Sequence, residues 1–331
     1  MVRIAKWPHV ALICAALWLA PLLGCGQAER ITGGDAGEGY TVTATTGMIG
    51  DVVRAVAGER AEVRDLLGPG TDPHVYTPRR SDVAKLSGSD IVFYNGLHLE
   101  GRMGDLLGRL SARVPTHPVA EIVWRDHLDE TARAEAGEDP HLWMDPLLWA
   151  EVADVVAAIL SEYDPEHAGE YHANAAAWRS EMERLADYAQ QVLATIPEER
   201  RHLITAHDAF GYMGRAYDIK VHGIQGISSS SEAGLQDLNR LVDFIVERQI
   251  PAVFIESTIP DRNVRALIEG ARSRGHVLVV GGELYSDAMG PSGSSAETYV
   301  GMIEHNVSTI AAALGGSPGA VEMQTAASHG D

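Results

Sequence analysis

The segment between Pro165 and Pro197 constrains the fold more than any other part of this sequence. It contains no internal proline, and Gly169 is its only glycine. Its large apolar residues recur at spacings of three, four and seven, which is the pattern of one helical face. These residues are Tyr171, Trp178, Met182, Leu185, Tyr188, Val192 and Ile196. A helix over residues 166–196 would be roughly 45 Å long at about 1.5 Å per residue. That length suits a backbone helix joining two lobes.

The rest of the chain alternates short apolar segments with amphipathic ones. The predicted strands cover residues 40–45, 61–67, 91–94, 202–205, 252–255 and 277–280. The other predicted helices cover residues 48–57, 78–86, 102–110, 146–163, 209–217, 237–248, 263–273 and 298–314. Such alternation predicts parallel sheets with helices on their faces. We therefore predict an α/β fold with an N-terminal lobe (40–165), a linking helix (166–196) and a C-terminal lobe (197–314).

The N-terminus reads as a secretory signal. Arg3 and Lys6 precede an apolar stretch at residues 10–23, which is too short and too near the chain start for a good membrane span. The stretch ends in Leu-Leu-Gly-Cys at residues 22–25 and resembles a bacterial lipobox. We expect residues 1–24 to be a lipoprotein signal peptide and Cys25 to carry lipid; the alternative is an ordinary signal with a chance cysteine. We predict a flexible tether at residues 25–39 and a disordered tail at residues 315–331, because both segments are rich in small and polar residues.

Cysteine usage and charge narrow the function classes. The only other cysteine, Cys14, leaves with the signal, so the mature chain has no thiol to pair and no need of disulfides. The formal net charge is −20 for the full chain. Removing the signal makes the mature chain still more acidic. This argues against nucleic acid and anionic lipid surfaces as partners. A solvated acidic surface accounts for most of the charge.

Two Asp-Pro-His triplets stand out, one ending at His74 and the other at His141. Proline fixes its own backbone angle and forces the preceding aspartate into an extended conformation. The histidine therefore sits on a stiff platform. A metal ligand benefits from this, because a rigid ligand loses less entropy when it binds.

Two further candidates, His207 and Asp287, follow short apolar strands, and His74 follows the predicted strand at 61–67. In parallel α/β sheets, ligands gather beyond the carboxyl ends of the strands. We therefore expect at least three of these side chains on one rim, with His141 on the loop that completes it. Three imidazoles and one carboxylate can make a closed four-ligand metal site. We interpret the remaining histidines of the mature chain as non-ligands. Among them, His98 is the next candidate for a ligand.

Four sequence segments make the chain resemble the TroA-like, ZnuA-related metal-binding proteins of ABC importers. The matching segments are residues 94–101 (YNGLHLEG), 205–212 (TAHDAFGY), 254–260 (FIESTIP) and 281–290 (GGELYSDAMG). The resemblance spans most of residues 40–314. It implies two α/β lobes joined by one long helix, with the metal held in the cleft. By motif, His74 and His141 would come from the first lobe, and His207 and Asp287 from the second.

The resemblance also implies the cargo and the partner. We expect a monomer that captures Zn²⁺ or Mn²⁺, delivers it to ABC permease subunits, and is lipid-anchored on the extracytoplasmic side of the membrane. Relatives that import zinc often carry a histidine-rich loop before the second ligand, whereas residues 126–138 here are acidic and hold only His127. Manganese relatives commonly have a glutamate where this chain has His207. The two departures point in opposite directions, so the metal stays open.

Two other functions remain open. A secreted zinc hydrolase would need a metal-bound water and a general base, for which Glu256 or Asp208 could be nominated. The sequence has no His-Glu-x-x-His motif. We expect Glu256, which follows a predicted strand, to line the cleft or contact a ligand. A surface adhesin with a structural metal is the third possibility.

Overall fold

The computed structural model describes residues 39–231 and 233–320 of the chain. The predicted signal peptide, Cys25 and the predicted tether up to residue 38 lie outside the described residues. The strands are β1 (Tyr40–Ala44), β2 (Ala61–Asp65), β3 (Ile91–Tyr94), β4 (Thr116–Pro118), β5 (His202–His207), β6 (Lys220–Gln225), β7 (Ala252–Glu256) and β8 (Val279–Leu284). The helices are α1 (Gly47–Ala57), α2 (Arg80–Ser87), α3 (Gly104–Leu110), α4 (Val119–Asp126), α5 (Glu130–Ala136), α6 (Pro146–Tyr163), α7 (Ala168–Leu193), α8 (Gly211–Tyr217), α9 (Leu235–Arg248), α10 (Arg262–Ser273) and α11 (Tyr299–Ala313).

The first half of the chain forms a parallel sheet with the strand order β2-β1-β3-β4. Val42 of β1 lies opposite Val63 of β2 and Ile91 of β3. The two inner strands are almost wholly buried, whereas β2, at the edge, alternates between half-buried and exposed residues. This is the pattern expected when helices cover the middle of a parallel sheet. Helix α1 supplies part of that cover through its buried apolar face.

The second half repeats the arrangement with two parallel pairs, β5 with β6 and β7 with β8. Strands β5 and β7 lie side by side. The hydrogen bond from the His207 backbone N–H at the end of β5 to Glu256 Oε1 at the end of β7 shows that their carboxyl ends meet. The predicted fold class, α/β with parallel sheets flanked by helices, is confirmed.

The long helix α7 runs from Ala168 to Leu193, after a 3₁₀ turn at Pro165–His167, and thus lies within the predicted range of 166–196. Its predicted apolar face is buried. It packs against α1 and α6 from the first half and against α11 from the second, which is what a linking helix requires. The lobe boundaries stay a prediction. Neither α7 nor any other helix among the described residues is both long and apolar enough to cross a bilayer.

The beginning of the predicted disordered tail is ordered. The Gly316 N–H donates to the Ala311 carbonyl at 2.7 Å, and the Ser317 N–H donates to Thr195 Oγ1 at 2.9 Å. A 3₁₀ turn follows at Pro318–Ala320. The backbone N–H groups of Gly316 and Ser317 thus find partners near the ends of α11 and α7. Residues 321–331 lie outside the described residues.

Helix α6 allows a matched test of the core. Leu160 is fully buried, whereas Leu147 on the same helix is 50% exposed. We expect Leu160→Ala to lower the free energy of unfolding by about 2–5 kcal/mol, because it leaves a cavity in the core. Leu147→Ala should change it by less than about 0.5 kcal/mol. Urea unfolding of both variants would measure this, and equal losses would show that the core does not extend to Leu160.

Candidate metal centre

Four side chains from distant parts of the chain meet in the interior. His207 is the last residue of β5, and Asp287 follows β8 by three residues. His74 lies in the loop after β2, and His141 immediately precedes a 3₁₀ turn at Leu142–Met144 that leads into α6. One nitrogen from each histidine and one Asp287 oxygen all lie within 4.8 Å of one another. The most exposed of the four, His74, is only 5% exposed.

The spacing of these atoms fits a small cation. His74 Nε2 lies 3.4 Å from His141 Nε2. Asp287 Oδ1 lies 3.3 Å from His141 Nε2, and Asp287 Oδ2 lies 3.2 Å from His207 Nε2 and 3.8 Å from His74 Nε2. Four donors at bond lengths of about 2.0–2.1 Å around a tetrahedral metal would be about 3.3 Å apart. The cluster thus has nearly the dimensions of a four-coordinate metal site.

Three of the inward-facing atoms lack a hydrogen-bond partner. They are His207 Nε2 and both carboxylate oxygens of Asp287, all buried. An unpaired buried polar atom costs free energy, and an unpaired buried carboxylate costs most. Native structures keep such atoms when a ligand completes them. The donor set therefore fits a metal ion on grounds independent of its spacing.

Two of the histidines are held by carboxylates behind their rings. His141 Nδ1 contacts Asp139 Oδ1 at 2.7 Å, and His207 Nδ1 contacts Glu256 Oε2 at 2.5 Å. In each case the same carboxyl group also accepts the histidine's backbone N–H, at 3.1 Å for His141 and 2.9 Å for His207. A carboxylate on Nδ1 fixes the ring and leaves Nε2 to face the centre.

His74 is held differently. The Asp72 carboxylate accepts its backbone N–H at 2.9 Å through Oδ1. The other oxygen, Oδ2, accepts the hydroxyl of Ser229 at 2.5 Å. Asp72 therefore fixes the main chain of His74 rather than its ring, and ties the loop after β2 to the second half of the chain.

The charges around the centre favour positive charge within it. Burial is the largest influence on the pKa of His74 and lowers it to about 4. Burial also acts to lower the pKa of His141, but Asp139 and Asp287 outweigh it and raise the pKa to about 9. Glu256 and Asp287 likewise outweigh burial and hold the pKa of His207 well above its usual value. Although burial opposes it, the charges of His207 and His141 hold the pKa of Asp287 well below its usual value.

A buried aromatic pair braces the loops that carry His141 and Asp287. The Trp143 Nε1–H donates to the Ser286 carbonyl at 2.8 Å, next to Asp287. The Tyr299 hydroxyl of α11 donates to the Trp143 carbonyl at 2.7 Å. These bonds connect the 3₁₀ turn after His141 to the second half of the chain, so the two loops are held together by protein contacts alone.

The structure brings together all four residues predicted from the sequence. The side chain of His98 is 89% exposed and lies 4.0 Å from Glu138, away from the cluster. Glu256 contacts a ring, as expected. The sequence analysis did not predict the contacts of Asp72, Asp139 and Ser229. A signal existed for the two aspartates, because an aspartate two residues before another residue often accepts its backbone N–H.

The parallel α/β halves and the buried His₃Asp cluster define the class of a metal-type solute-binding protein. A family model described as "ZnuA: Zinc-uptake complex component A periplasmic" matches residues 42–313. The chain therefore belongs to the ZnuA family, which confirms the resemblance inferred from its motifs.

The chain matches several relatives over nearly their whole length. The manganese-binding lipoprotein MntA of Bacillus subtilis (strain 168) is 41% identical over 293 residues, covering 88% of this chain and 95% of MntA. The zinc-binding protein TroA of Treponema pallidum (strain Nichols) is 43% identical over 273 residues, covering 82% and 88%. The solved TroA structure has a TM-score of 0.79 at 42% identity, covering 84% of this chain and 99% of TroA. The Fe(III)-bound YtgA structure from Chlamydia trachomatis has a TM-score of 0.75 at 28% identity, covering 84% and 99%.

The carboxylate behind His207 can be tested directly. We expect Glu256→Gln to weaken Zn²⁺ binding by about 10- to 100-fold, because the neutral amide orients the ring less firmly and removes a compensating charge. Competition with a chelator of known affinity would measure this. Glu247→Gln, at an exposed position on α9, removes the same charge elsewhere and serves as the control. Equal affinity of the two variants would show that Glu256 does not support the centre.

Proposed function

We propose that this chain captures a divalent transition metal, zinc or manganese, and delivers it to the membrane subunits of an ABC importer. The observation that carries this proposal is the buried cluster of His74, His141, His207 and Asp287, whose inward-facing atoms lack other partners. Membership of a family of transport solute-binding proteins supports the delivery role. The metal is the cargo of this protein, not a resident cofactor.

The donor chemistry suits reversible capture. Neutral imidazoles bind through Nε2, and the carboxylate brings one negative charge and binds through one or both oxygens. Asp139 and Glu256 orient two of the rings, so little order has to be created when the ion arrives. The centre draws its ligands from both halves of the chain. A small separation of the halves would thus break the ligand set and release the ion.

The donor set alone does not choose between the metals. Zinc outranks manganese in intrinsic affinity at nearly any nitrogen and oxygen site. The names of relatives point both ways, since MntA is described as manganese-binding and TroA as zinc-binding. We therefore expect tight zinc binding in vitro whichever metal is the physiological cargo.

The location and the partners follow from the same family. Several relatives are described as lipoproteins, among them MntA of Bacillus subtilis and PsaA of Streptococcus pneumoniae serotype 4. We propose that the mature chain is a monomer attached through lipid on Cys25, on the extracytoplasmic side of the membrane. The permease is its protein partner, and nucleic acid is not a partner of so acidic a chain.

The arrangement of the carboxylates argues against a hydrolase. A hydrolytic zinc site needs an open position for water and a base that is free to accept its proton. Glu256, one of the two nominated bases, already contacts both the ring and the backbone of His207. The four candidate ligands form a closed and buried set. We therefore propose a carrier and not an enzyme.

Metal content gives the decisive test. After dialysis against equal zinc and manganese, we expect about one equivalent of zinc per mature chain by mass spectrometry. His207→Ala should lose the metal, because it removes one of the four donors, whereas His98→Ala should retain it. Bound manganese in the presence of zinc would reassign the cargo, and no metal in the wild type would overturn the proposal.

The stability of the same variant separates a carrier from a metal-stabilised scaffold. In a carrier the fold does not depend on the ion, so we expect metal-free His207→Ala to unfold cooperatively by circular dichroism at a temperature close to that of the metal-free wild type. If both proteins are unfolded at ordinary temperature without metal, the site is structural, as in a metal-stabilised adhesin.

The anchor can be tested in cells. Cys25→Ser should abolish incorporation of labelled fatty acid into the chain, because the thiol is the proposed attachment point. The substitution should leave zinc binding by the purified protein unchanged. Labelling of the Cys25→Ser chain equal to that of the wild type would refute the lipidation.

A further inference from the structure

A surface cavity of about 110 Å³ leads to one side of the candidate centre. Its walls come from three places: the start of α1, the loop after β2, and the segment after Asp287. Asp287 itself is part of the lining, and so are Gly47, Asp65, Gly68, Met289, Ser292 and Glu297. His74, His141 and His207 are not among the residues that line it.

Asp287 connects this cavity to the centre. The side chain is buried, and neither carboxylate oxygen has a hydrogen-bond partner. The same oxygens lie 3.2–3.3 Å from the Nε2 atoms of His207 and His141. The Asp287 side chain is 0% exposed, so it separates the inner end of the cavity from the imidazoles, and the wall has to move before an ion can pass.

The cavity is negatively charged. Its charged lining residues are Asp65, Asp287 and Glu297, and no lysine, arginine or histidine is among the lining residues. Arg54 pairs with Asp65 at 2.6 Å from outside the lining and compensates that charge. The imidazoles of His141 and His207 lie against Asp287, so the exposed Glu297 is the lining acid that remains without such compensation. A concave wall with one sign of charge concentrates ions of the opposite sign and raises their association rate.

Part of the wall can yield. The Met289 side chain packs against Gly47, where a Cβ would lie only 2.8 Å from the Met289 methyl carbon. Methionine is unbranched and has several rotatable bonds, so it adapts readily to a changing space. The wall near Asp287 therefore contains at least one adaptable side chain.

We propose that this acidic cavity is the route by which the divalent cation moves from solvent to Asp287 and, on dissociation, from Asp287 back to solvent. The proposal rests on the proposed function and adds the path and the order of contacts, with Glu297 at the rim, then Asp287, then the three histidines. A route differs from a ligand in what it controls. It sets the rates of association and dissociation together and leaves the equilibrium affinity unchanged.

Blocking the cavity tests this distinction. Gly68 lines the cavity, and a Cβ built there meets nothing within 4 Å, so Gly68→Phe adds bulk without a clash at Cβ. Stopped-flow mixing with Zn²⁺, and then with excess EDTA, would give both rates from Trp143 emission, because its ring lies 5.2 Å from that of His141. We expect both rates to fall by about tenfold with an unchanged Kd.

Two further variants keep this experiment interpretable. Ser292→Phe places the same bulk on another exposed part of the lining, in case Gly68→Phe does not fold. Gly108→Phe is the matched control, because a Cβ on this exposed residue of α3 also meets nothing within 4 Å. Rates equal to those of the control, or a change in only one of the two rates, would overturn the route.

The charge at the rim gives an independent readout. Glu297→Gln should slow Zn²⁺ association by roughly two- to tenfold at low ionic strength, and the difference should vanish at high salt. Glu247→Gln removes the same charge from α9 and should leave the rate unchanged. Equal slowing in both variants would mean that net charge, and not this cavity, attracts the ion.

The two proposals fail in different ways. If wild-type protein shows no Zn²⁺ binding in these mixing experiments, the proposed function fails. If the blocked variants bind and release Zn²⁺ at wild-type rates, the function stands and the route fails.

Discussion

The buried carboxylate of Asp287 is the constraint on which the rest of this structure depends. An isolated buried anion is strongly unfavourable, so it must be compensated by nearby positive charge. Here the compensation comes from the imidazoles of His207 and His141. That arrangement requires His141 from the first half of the chain and His207 from the second to reach the same point. The meeting of the strand carboxyl ends, the contact of α7 with both halves and the Trp143 brace make this possible.

The contacts behind the histidines give the cluster its order. Asp72 and Asp139 use the same local geometry, in which an aspartate two residues before a histidine accepts that histidine's backbone N–H. The intervening proline stiffens both segments. The two aspartates differ in the other contact that each makes. Asp139 contacts the ring of its own histidine, whereas Asp72 accepts the hydroxyl of Ser229. Within the contacts described here, the His74 ring is thus the least restrained of the three, although its main chain is fixed.

The sequence predicted the parts of the site that depend on local pattern. Strand ends and the Asp-Pro-His triplets indicated all four residues, and alternation indicated parallel sheets. The predictions missed β4 and β6, because β4 has three residues and β6 contains Gly223 and few large apolar side chains. Strand β8 was predicted at residues 277–280, before the pair Gly281–Gly282, but it runs from Val279 to Leu284. Both glycines lie within the strand, and packing explains why they are glycines. A Cβ on Gly281 would meet Phe254 and Ala313, and a Cβ on Gly282 would meet Thr309. These contacts come from parts of the chain distant in sequence, so the sequence around the two glycines does not reveal them.

The same physics limits what any donor set can say about the cargo. Three nitrogens and a carboxylate rank zinc above manganese, yet relatives with this fold are described as binding zinc, manganese or Fe(III). The shared fold therefore does not by itself fix the cargo, and the coordination that each ligand provides is one variable that can. Asp287 offers one such variable, because both of its oxygens face inward and it can supply one donor or two. A centre that enforced the second oxygen would shift the coordination number away from the four that zinc prefers in closed sites. Trp143 and Asn306 of α11 hold the backbone just before Asp287, and these contacts restrict how far its carboxylate can turn to offer a second oxygen.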